Sequence, residues 1–199
     1  HYCQNCGTQL KEKIGTRSSF KDIDRVNVSG GYKYSRHTHI KAYMKQFQGK
    51  QKVKIPPQLY KDVQEQLHHS NHGKITPQHI RMALQNTGWK IHYENFVLIW
   101  SEITKEPCPD ISHLENDVLA DFDQIEKVYN TIISNSPDVD RRSFISYPFV
   151  LYVILRRRNF DCDISFFNML KSDRINWLDN IMEKIFEHLG WGVFTKIGV

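Results

Sequence analysis

Cys3 and Cys6 are the residues whose type and spacing could bind a metal, since two residues separate them and Gly7 follows. Two thiolates at this spacing can face one zinc ion, and the glycine lets the backbone turn beneath the metal. Structural zinc sites use four ligands, so this pair supplies half of one. The sequence predicts a structural zinc site with Cys3 and Cys6 as ligands.

Three completions of this zinc site are open. The missing ligands could be a cysteine pair upstream of residue 1 or the pair His37 and His39, and the third alternative is an empty site. A redox role is a rival interpretation, but redox cysteine pairs lie between a strand and a helix, and the sequence shows no such pattern. The two remaining cysteines are isolated, which predicts a reducing, intracellular compartment rather than a disulfide framework.

A basic run is the second group of residues that could do chemistry. Residues 1–60 contain twelve Lys and Arg and three acidic residues, a net charge of +9, whereas the remainder has a net charge of −4. Basic side chains interleaved with aromatic ones can follow a phosphate backbone, although a solubilising face would have the same composition. The sequence predicts that nucleic acid is contacted by Arg36, Lys41, Lys45, Lys50, Lys52 and Lys54.

No arrangement typical of a catalytic site appears in the sequence. There is no glycine-rich phosphate loop, no nucleophile elbow and no His-Glu-x-x-His motif. Three arginines at residues 156–158 close an apolar run; such clusters commonly end a buried helix and can also bind an acidic partner. We therefore predict a protein that is not an enzyme.

The elements that position these residues are predominantly helical. Residues 1–33 are predicted to be half of a zinc ribbon with a short β-hairpin and a linker, because residues 23–28 alternate and Ser29-Gly30-Gly31 follows them. From residue 34 the apolar residues recur at helical spacing, including predicted helices at 93–103 and 164–170. We predict an all-α fold, with a helical domain over residues 34–199, and no membrane partner, because no apolar run approaches ~20 residues.

The order of short motifs along the chain is similar to that of one viral family. No single motif is specific, whereas the ordered set is, and it spans nearly the whole chain: Tyr2-Cys3-x-x-Cys6, Tyr34-x-Arg36-x-x-His39, Gln46-Phe47-Gln48-Gly49-Lys50, Ile55-Pro56, Ile75-Thr76, Ile80-Arg81-x-x-Leu84, His92-Tyr93-Glu94, Phe144-x-x-Tyr147 and Leu189-Gly190-Trp191. By this set the chain resembles the poxvirus-type late transcription factor family of large cytoplasmic DNA viruses.

The resemblance implies a non-enzymatic factor for transcription of late viral genes. Its expected partners are late-promoter DNA, the viral RNA polymerase and other late transcription factors, in the viral factory of the host cytoplasm and in the virion. The family's zinc ribbon has two cysteine pairs, so Cys3 and Cys6 would be the second pair and the first would lie upstream of residue 1. The alternative function is a helical protein–protein scaffold without direct DNA binding, which the salt dependence of DNA affinity would distinguish.

Overall fold

The computed structural model describes residues 35–69, 73–135, 144–168 and 172–198. Within these ranges the chain forms helices and no β-strand, which confirms the predicted all-α class. The predicted zinc ribbon, its hairpin and its ligands Cys3 and Cys6 lie outside the described residues. The α-helices in the described ranges are α1 (Arg36–Phe47), α2 (Pro57–His69), α3 (Pro77–Asn86), α4 (Phe96–Thr104), α5 (Glu115–Ser134), α6 (Tyr147–Arg157) and α7 (Ser172–Leu189).

Helix boundaries follow from local backbone chemistry. Helix α3 begins with Pro77 after Thr76, whose backbone N–H donates to Nδ1 of His79 at 3.2 Å. Proline suits the first helical position because the missing N–H would have no intrahelical partner there. Helix α1 ends before Gly49, which has a φ of +63°, and the N–H of Lys50 donates to the carbonyl of Lys45 at 2.9 Å. A left-handed glycine with such a bond is a common helix terminator.

The buried apolar side chains of the described residues form two clusters. The larger one joins α1, α5, α6 and α7, and the smaller one joins α2, α3 and α4. Helix α6 lies at the centre of the larger cluster, where residues 149–155 are all buried. A helix that is apolar on every side must be covered on every side, so α6 organises the helices around it.

Phe166 links the two clusters. Its ring centroid lies 6.1 Å from that of Phe47 in the larger cluster and 5.0 Å from that of Trp100 in the smaller one. Of the short helix predicted over residues 164–170, the described residues form a single 3₁₀ turn, Ile164–Phe166, and residues 169–170 lie outside the described ranges. The carboxylate of Asp163 accepts the N–H of Ser165 at 2.7 Å, and the chain becomes extended at Phe167. The bond from Ser165 caps the start of the turn, and the extended backbone at Phe167 ends it.

Candidate nucleic-acid interface

Helix α1 presents two lysines of the predicted basic run to solvent. Its inner face consists of the buried residues Ile40, Met44 and Phe47, and Lys41 and Lys45 are exposed. The two lysines are four residues apart, so they lie on the same side of the helix about 6 Å apart along its axis. Neither makes an ion pair with a described residue. Their ammonium groups are therefore available to a ligand.

The loop after α1 carries two more exposed lysines, Lys52 and Lys54. Glu94 holds this loop beside the last turn of α1. Its carboxylate accepts a hydrogen bond from Nε2 of Gln46 at 3.2 Å, and its backbone carbonyl accepts one from Nε2 of Gln51 at 2.8 Å. Neither loop lysine is ion-paired within the described ranges. We call Lys41, Lys45, Lys52 and Lys54 the lysine array.

Lys50 also belongs to the predicted basic run, but its ammonium group is used inside the protein. Its Nζ donates to Oδ1 of Asp110 at 3.1 Å, to Oγ of Ser112 at 2.5 Å and to Oε1 of Gln48 at 2.6 Å. An ammonium group has three donors, so these contacts use all of them. Lys50 therefore has no donor left for a phosphate in this arrangement.

Gln48 is the buried centre of the same network. Its Nε2 donates to Oε1 of Glu115 at 2.9 Å and to the carbonyl of Met44 at 3.2 Å. Its Oε1 accepts the N–H of Ile111 at 3.2 Å, in addition to the bond from Lys50. Buried polar groups need such partners because an unmade hydrogen bond is costly. Gln48 thus fixes the C-terminal end of α1 to the start of α5.

The acidic partner of Lys50 stays ionised well below neutral pH. Hydrogen bonds from the hydroxyl and the backbone N–H of Ser112, and then from Lys50, lower the pKa of Asp110 from 3.8 to about 2. Donors that favour the carboxylate form lower a carboxyl pKa. The charge of Lys50 is therefore balanced locally, in contrast to the charges of the lysine array.

Arg36, the first residue of the predicted basic run, is also engaged within the protein. Its Nη1 donates to Oδ1 of Asn130 at 2.7 Å and to Oε1 of Glu126 at 3.2 Å. Its guanidinium carbon lies 4.6 Å from the ring centroid of Phe144. These contacts anchor α1 to α5 and leave the side chain 23% exposed. The six predicted nucleic-acid contacts thus separate into two engaged residues and the four of the lysine array.

His37 and His39, one of the three alternatives for completing the zinc site, have different partners. Nε2 of His37 lies 3.6 Å from Oδ1 of Asp123, and the ring of His39 stacks on that of Tyr147 with centroids 5.6 Å apart. Residues that are two positions apart on a helix project about 200° from each other around its axis, so the two rings do not converge. Among the described residues, no group of three or more His, Cys, Asp or Glu side chains could hold a metal ion.

A second basic cluster, at the end of α6, surrounds one buried acid. Asp121 is 2% exposed and accepts Nη1 of Arg157 at 2.8 Å. Arg158 binds both carboxylate oxygens, through Nε and Nη2, at 2.8 Å each. This fork geometry is the strongest form of the Arg–carboxylate pair. The arginine cluster was visible in the sequence, but nothing in the local pattern indicated Asp121 as its partner.

The two cysteines in the described residues have thiols that resist ionisation. Burial raises the pKa of Cys108, and burial together with Asp161 raises the pKa of Cys162 to about 11. The thiolate is the reactive form of cysteine, so a raised pKa suppresses its nucleophilicity at neutral pH. Neither thiol has the properties of a catalytic nucleophile.

The chain is similar to a set of viral proteins. The family model described as Poxvirus Late Transcription Factor VLTF3 like matches residues 27–193. "Putative transcription factor 079L" of Invertebrate iridescent virus 3 is 33% identical over 213 residues, covering 95% of this chain and 54% of the relative. "Putative transcription factor 282R" of Invertebrate iridescent virus 6 is 31% identical, covering 96% of this chain and 54% of the relative. These matches confirm the resemblance inferred from the ordered motifs.

More distant relatives come from other large DNA viruses. "Putative transcription factor R429" of Acanthamoeba polyphaga mimivirus is 24% identical, covering 98% of this chain and 45% of the relative. The chain therefore spans about half the length of the curated relatives it matches. No solved structure shows a significant match to the chain. None of the helices in the described ranges is long and apolar enough to cross a membrane.

Proposed function

The chain belongs to the Poxvirus Late Transcription Factor VLTF3 like family, and from this membership we propose that it acts with the viral RNA polymerase at late promoters. The proposal extends the names of the relatives, which state a role in transcription. In this proposal the protein is not an enzyme and its partners are late-promoter DNA, the polymerase and other late transcription factors. Its place is the viral factory in the host cytoplasm.

The observation that supports DNA contact is the lysine array. Its four ammonium groups are exposed and have no ion-pair partner among the described residues, whereas the guanidinium of Arg36 and the ammonium group of Lys50 each have one. Lysines that neutralise phosphates release condensed counterions, so the affinity depends steeply on salt. For duplex DNA the slope of log affinity against log salt changes by about 0.9 per phosphate neutralised. Four contacts therefore correspond to a slope change of about 3 to 4.

The test is a single variant in which glutamine replaces each of Lys41, Lys45, Lys52 and Lys54. Binding to a late-promoter duplex is measured by fluorescence anisotropy over a range of salt concentrations. We expect weaker binding and a salt slope that is shallower by about 3 to 4.

A matched variant controls for the loss of net charge. It replaces four other exposed lysines that have no ion pair in the described part of the chain: Lys61, Lys90, Lys127 and Lys184. Both variants lose four positive charges, so a long-range field effect would be the same in each. If the two variants have the same salt slope, the lysine array does not form the DNA contact.

The alternative function is a protein–protein scaffold without direct DNA binding, and two exposed apolar side chains are the feature that bears on it. Met82 on α3 is 54% exposed, and Ile91 in the following 3₁₀ helix is 85% exposed. Large exposed apolar side chains are typical of surfaces that contact another protein when they form a patch. The absence of a measurable affinity of the wild-type protein for DNA would favour this function.

We further propose that Cys3 and Cys6 bind zinc as one half of a ribbon, with the other pair upstream of residue 1. The support is their spacing and the glycine that follows. The test is metal analysis of the protein with its upstream residues, in comparison with a Cys3→Ser, Cys6→Ser variant. We expect one zinc ion per chain from this site and its loss in the variant; equal zinc content in both would exclude these ligands.

A further inference from the structure

A small cavity of about 260 Å³ lies between the end of α6 and the segment that follows α7. Val153, Phe186 and Phe194 contribute apolar surface to it, and Arg156 and Arg157 contribute positive charge. Small-molecule sites measure roughly 300–1,000 Å³, so this cavity is below that range. Its size suits a single side chain from a binding partner, which would contact these three apolar residues with polar surface around them.

The wall formed by the C-terminal segment is held in place by several contacts. Gly190 and Gly192 have φ values of +64° and +86°, which turn the chain on either side of Trp191. The ring of Trp191 meets that of Phe186 edge to face at 5.3 Å. Further along, Oδ2 of the buried Asp179 accepts the backbone N–H groups of residues 197 and 198, at 3.0 and 2.9 Å. A preformed wall reduces the entropy lost when a partner binds.

The two arginines at the cavity have different roles. Arg157 donates to Asp121 at 2.8 Å, and its guanidinium carbon lies 3.9 Å from the ring centroid of Trp191. Arg156 is exposed and makes no ion pair with a described residue; its guanidinium carbon lies 5.8 Å from the ring centroid of Tyr152. Arg156 is therefore the cation at this cavity that an incoming carboxylate can neutralise.

The surface extends beyond the first cavity. A second cavity, of about 490 Å³, shares Arg156 and Asn159 with the first and is also lined by Phe160 and Asp161. Beside the first cavity, Val193 is 96% exposed. Covering a valine removes apolar area from water at about 25 cal/mol per Å². The two cavities adjoin along the surface with an exposed apolar residue beside them, and an extended chain can cover all three together.

We propose that this surface binds an extended segment of another protein in which a large apolar side chain stands next to an acidic residue. The apolar side chain enters the 260 Å³ cavity and covers Val193, and the acidic side chain pairs with Arg156. The second cavity carries Asp161, so the residue that enters it is not acidic. This binding goes beyond the proposed function and does not depend on DNA contact by the lysine array.

A nucleic acid fits the same surface less well. Single-stranded nucleic acids bind through base stacking on open aromatic faces together with several phosphate contacts. At this cavity the guanidinium of Arg157 already covers one face of Trp191. The rings of Trp191 and Phe186 also meet edge to face. Arg156 alone offers an unpaired positive charge in the two described cavities.

The probes are short labelled peptides in which Leu, Ile, Phe or Trp stands beside two glutamates, in both orders. Two control sets replace the apolar residue with alanine or the glutamates with lysine, and a single-stranded oligonucleotide is tested in parallel. Binding is measured by anisotropy, and contacts are mapped by methyl NMR at Val153 and Val193. We expect at least one acidic-apolar peptide to bind and to shift both methyl signals, and neither control set to do so.

Variants of the protein make the assignment specific. Arg156→Glu and Val193→Glu should each weaken peptide binding by about tenfold or more. Arg174→Glu is the matched control, because Arg174 is exposed, lies outside both cavities and makes no ion pair among the described residues. Circular dichroism melts show whether each variant stays folded. Because the two test substitutions lie in different segments, misfolding of one variant leaves the other as a test.

Three outcomes would overturn the proposal: no binding by any acidic-apolar peptide, binding that Arg156→Glu leaves unchanged, or oligonucleotide binding at these methyl groups in place of peptide binding. The variant that lacks the lysine array should keep full peptide affinity. Failure of DNA binding and failure of peptide binding are therefore separate results.

Discussion

Residues of the same type differ in role because of what surrounds them. Lys45 and Lys50 are five positions apart, yet Lys45 is exposed without an ion pair in the described chain, whereas Lys50 is bound by Asp110, Ser112 and Gln48. The pKa of Asp110, lowered to about 2, keeps that partner charged at neutral pH. Only the unengaged lysines retain a charge that a phosphate can neutralise locally.

Gly49 is the residue on which the junction after α1 depends most directly. A Cβ atom at this position would lie 2.5 Å from Sγ of Cys108, and the backbone φ of +63° disfavours any side chain. We expect Gly49→Ala to lower the free energy of unfolding by about 2–4 kcal/mol, from left-handed strain and overpacking together. Urea denaturation monitored by circular dichroism measures the change.

Gly88 provides the matched control for this prediction. Its φ is +82°, but a Cβ there would meet nothing within 4 Å, so Gly88→Ala tests backbone strain alone. We expect it to cost about 1–2 kcal/mol. Adding Cys108→Ala to Gly49→Ala should recover part of the loss, because it removes the clashing sulfur. Equal destabilisation by the two glycine substitutions would show that the contact with Cys108 is unimportant.

At the scale of the elements, the motifs that carry the family resemblance meet at helix junctions. Arg36 lies against Phe144 and His39 stacks on Tyr147, so two motifs more than a hundred residues apart join α1 to the start of α6. Gln46 bonds to Glu94 in the same way, which joins the end of α1 to the chain before α4. These motifs therefore help to determine how the helices pack.

The sequence predicted the elements better than their side-chain partners. Helix type and ends depend on neighbouring residues, such as Thr76 and Pro77 at the start of α3, so the all-α class could be inferred locally. Whether a lysine is free to bind a phosphate could not be inferred locally, because Asp110, the partner of Lys50, lies sixty residues away in the chain. The 3₁₀ turn at Ile164–Phe166 is shorter than the helix predicted over residues 164–170, because apolar spacing gave no indication that the backbone becomes extended at Phe167.

At the scale of the whole molecule, the two proposed interfaces use different elements. The lysine array lies on α1 and the loop after it, whereas the surface around Arg156 belongs to the end of α6 and the C-terminal segment. The two sets share no residue, so each can be changed without altering the other. A transcription factor that contacts DNA and a protein partner simultaneously needs such separation.

The ring of Phe166 touches both apolar clusters, through Phe47 in the larger one and Trp100 in the smaller one. The four tryptophans of the chain report on the clusters separately. Trp89 and Trp100 belong to the smaller cluster, and residues 177 and 191 pack against the larger one. Fluorine NMR of protein labelled with 5-fluorotryptophan can therefore follow the unfolding of each cluster in urea.

In the wild-type protein we expect the four fluorine signals to lose their folded intensity at the same urea concentration. Phe166→Ala removes two edge-to-face ring contacts, each worth about 0.5–1.5 kcal/mol beyond area burial. We expect the signals of Trp89 and Trp100 then to disappear at lower urea than the other two. Phe160→Ala, which truncates a ring packed on the larger cluster, should not unfold the smaller cluster first. Four signals that still disappear together in Phe166→Ala would mean that the contacts of α1 with α4 couple the clusters without this ring.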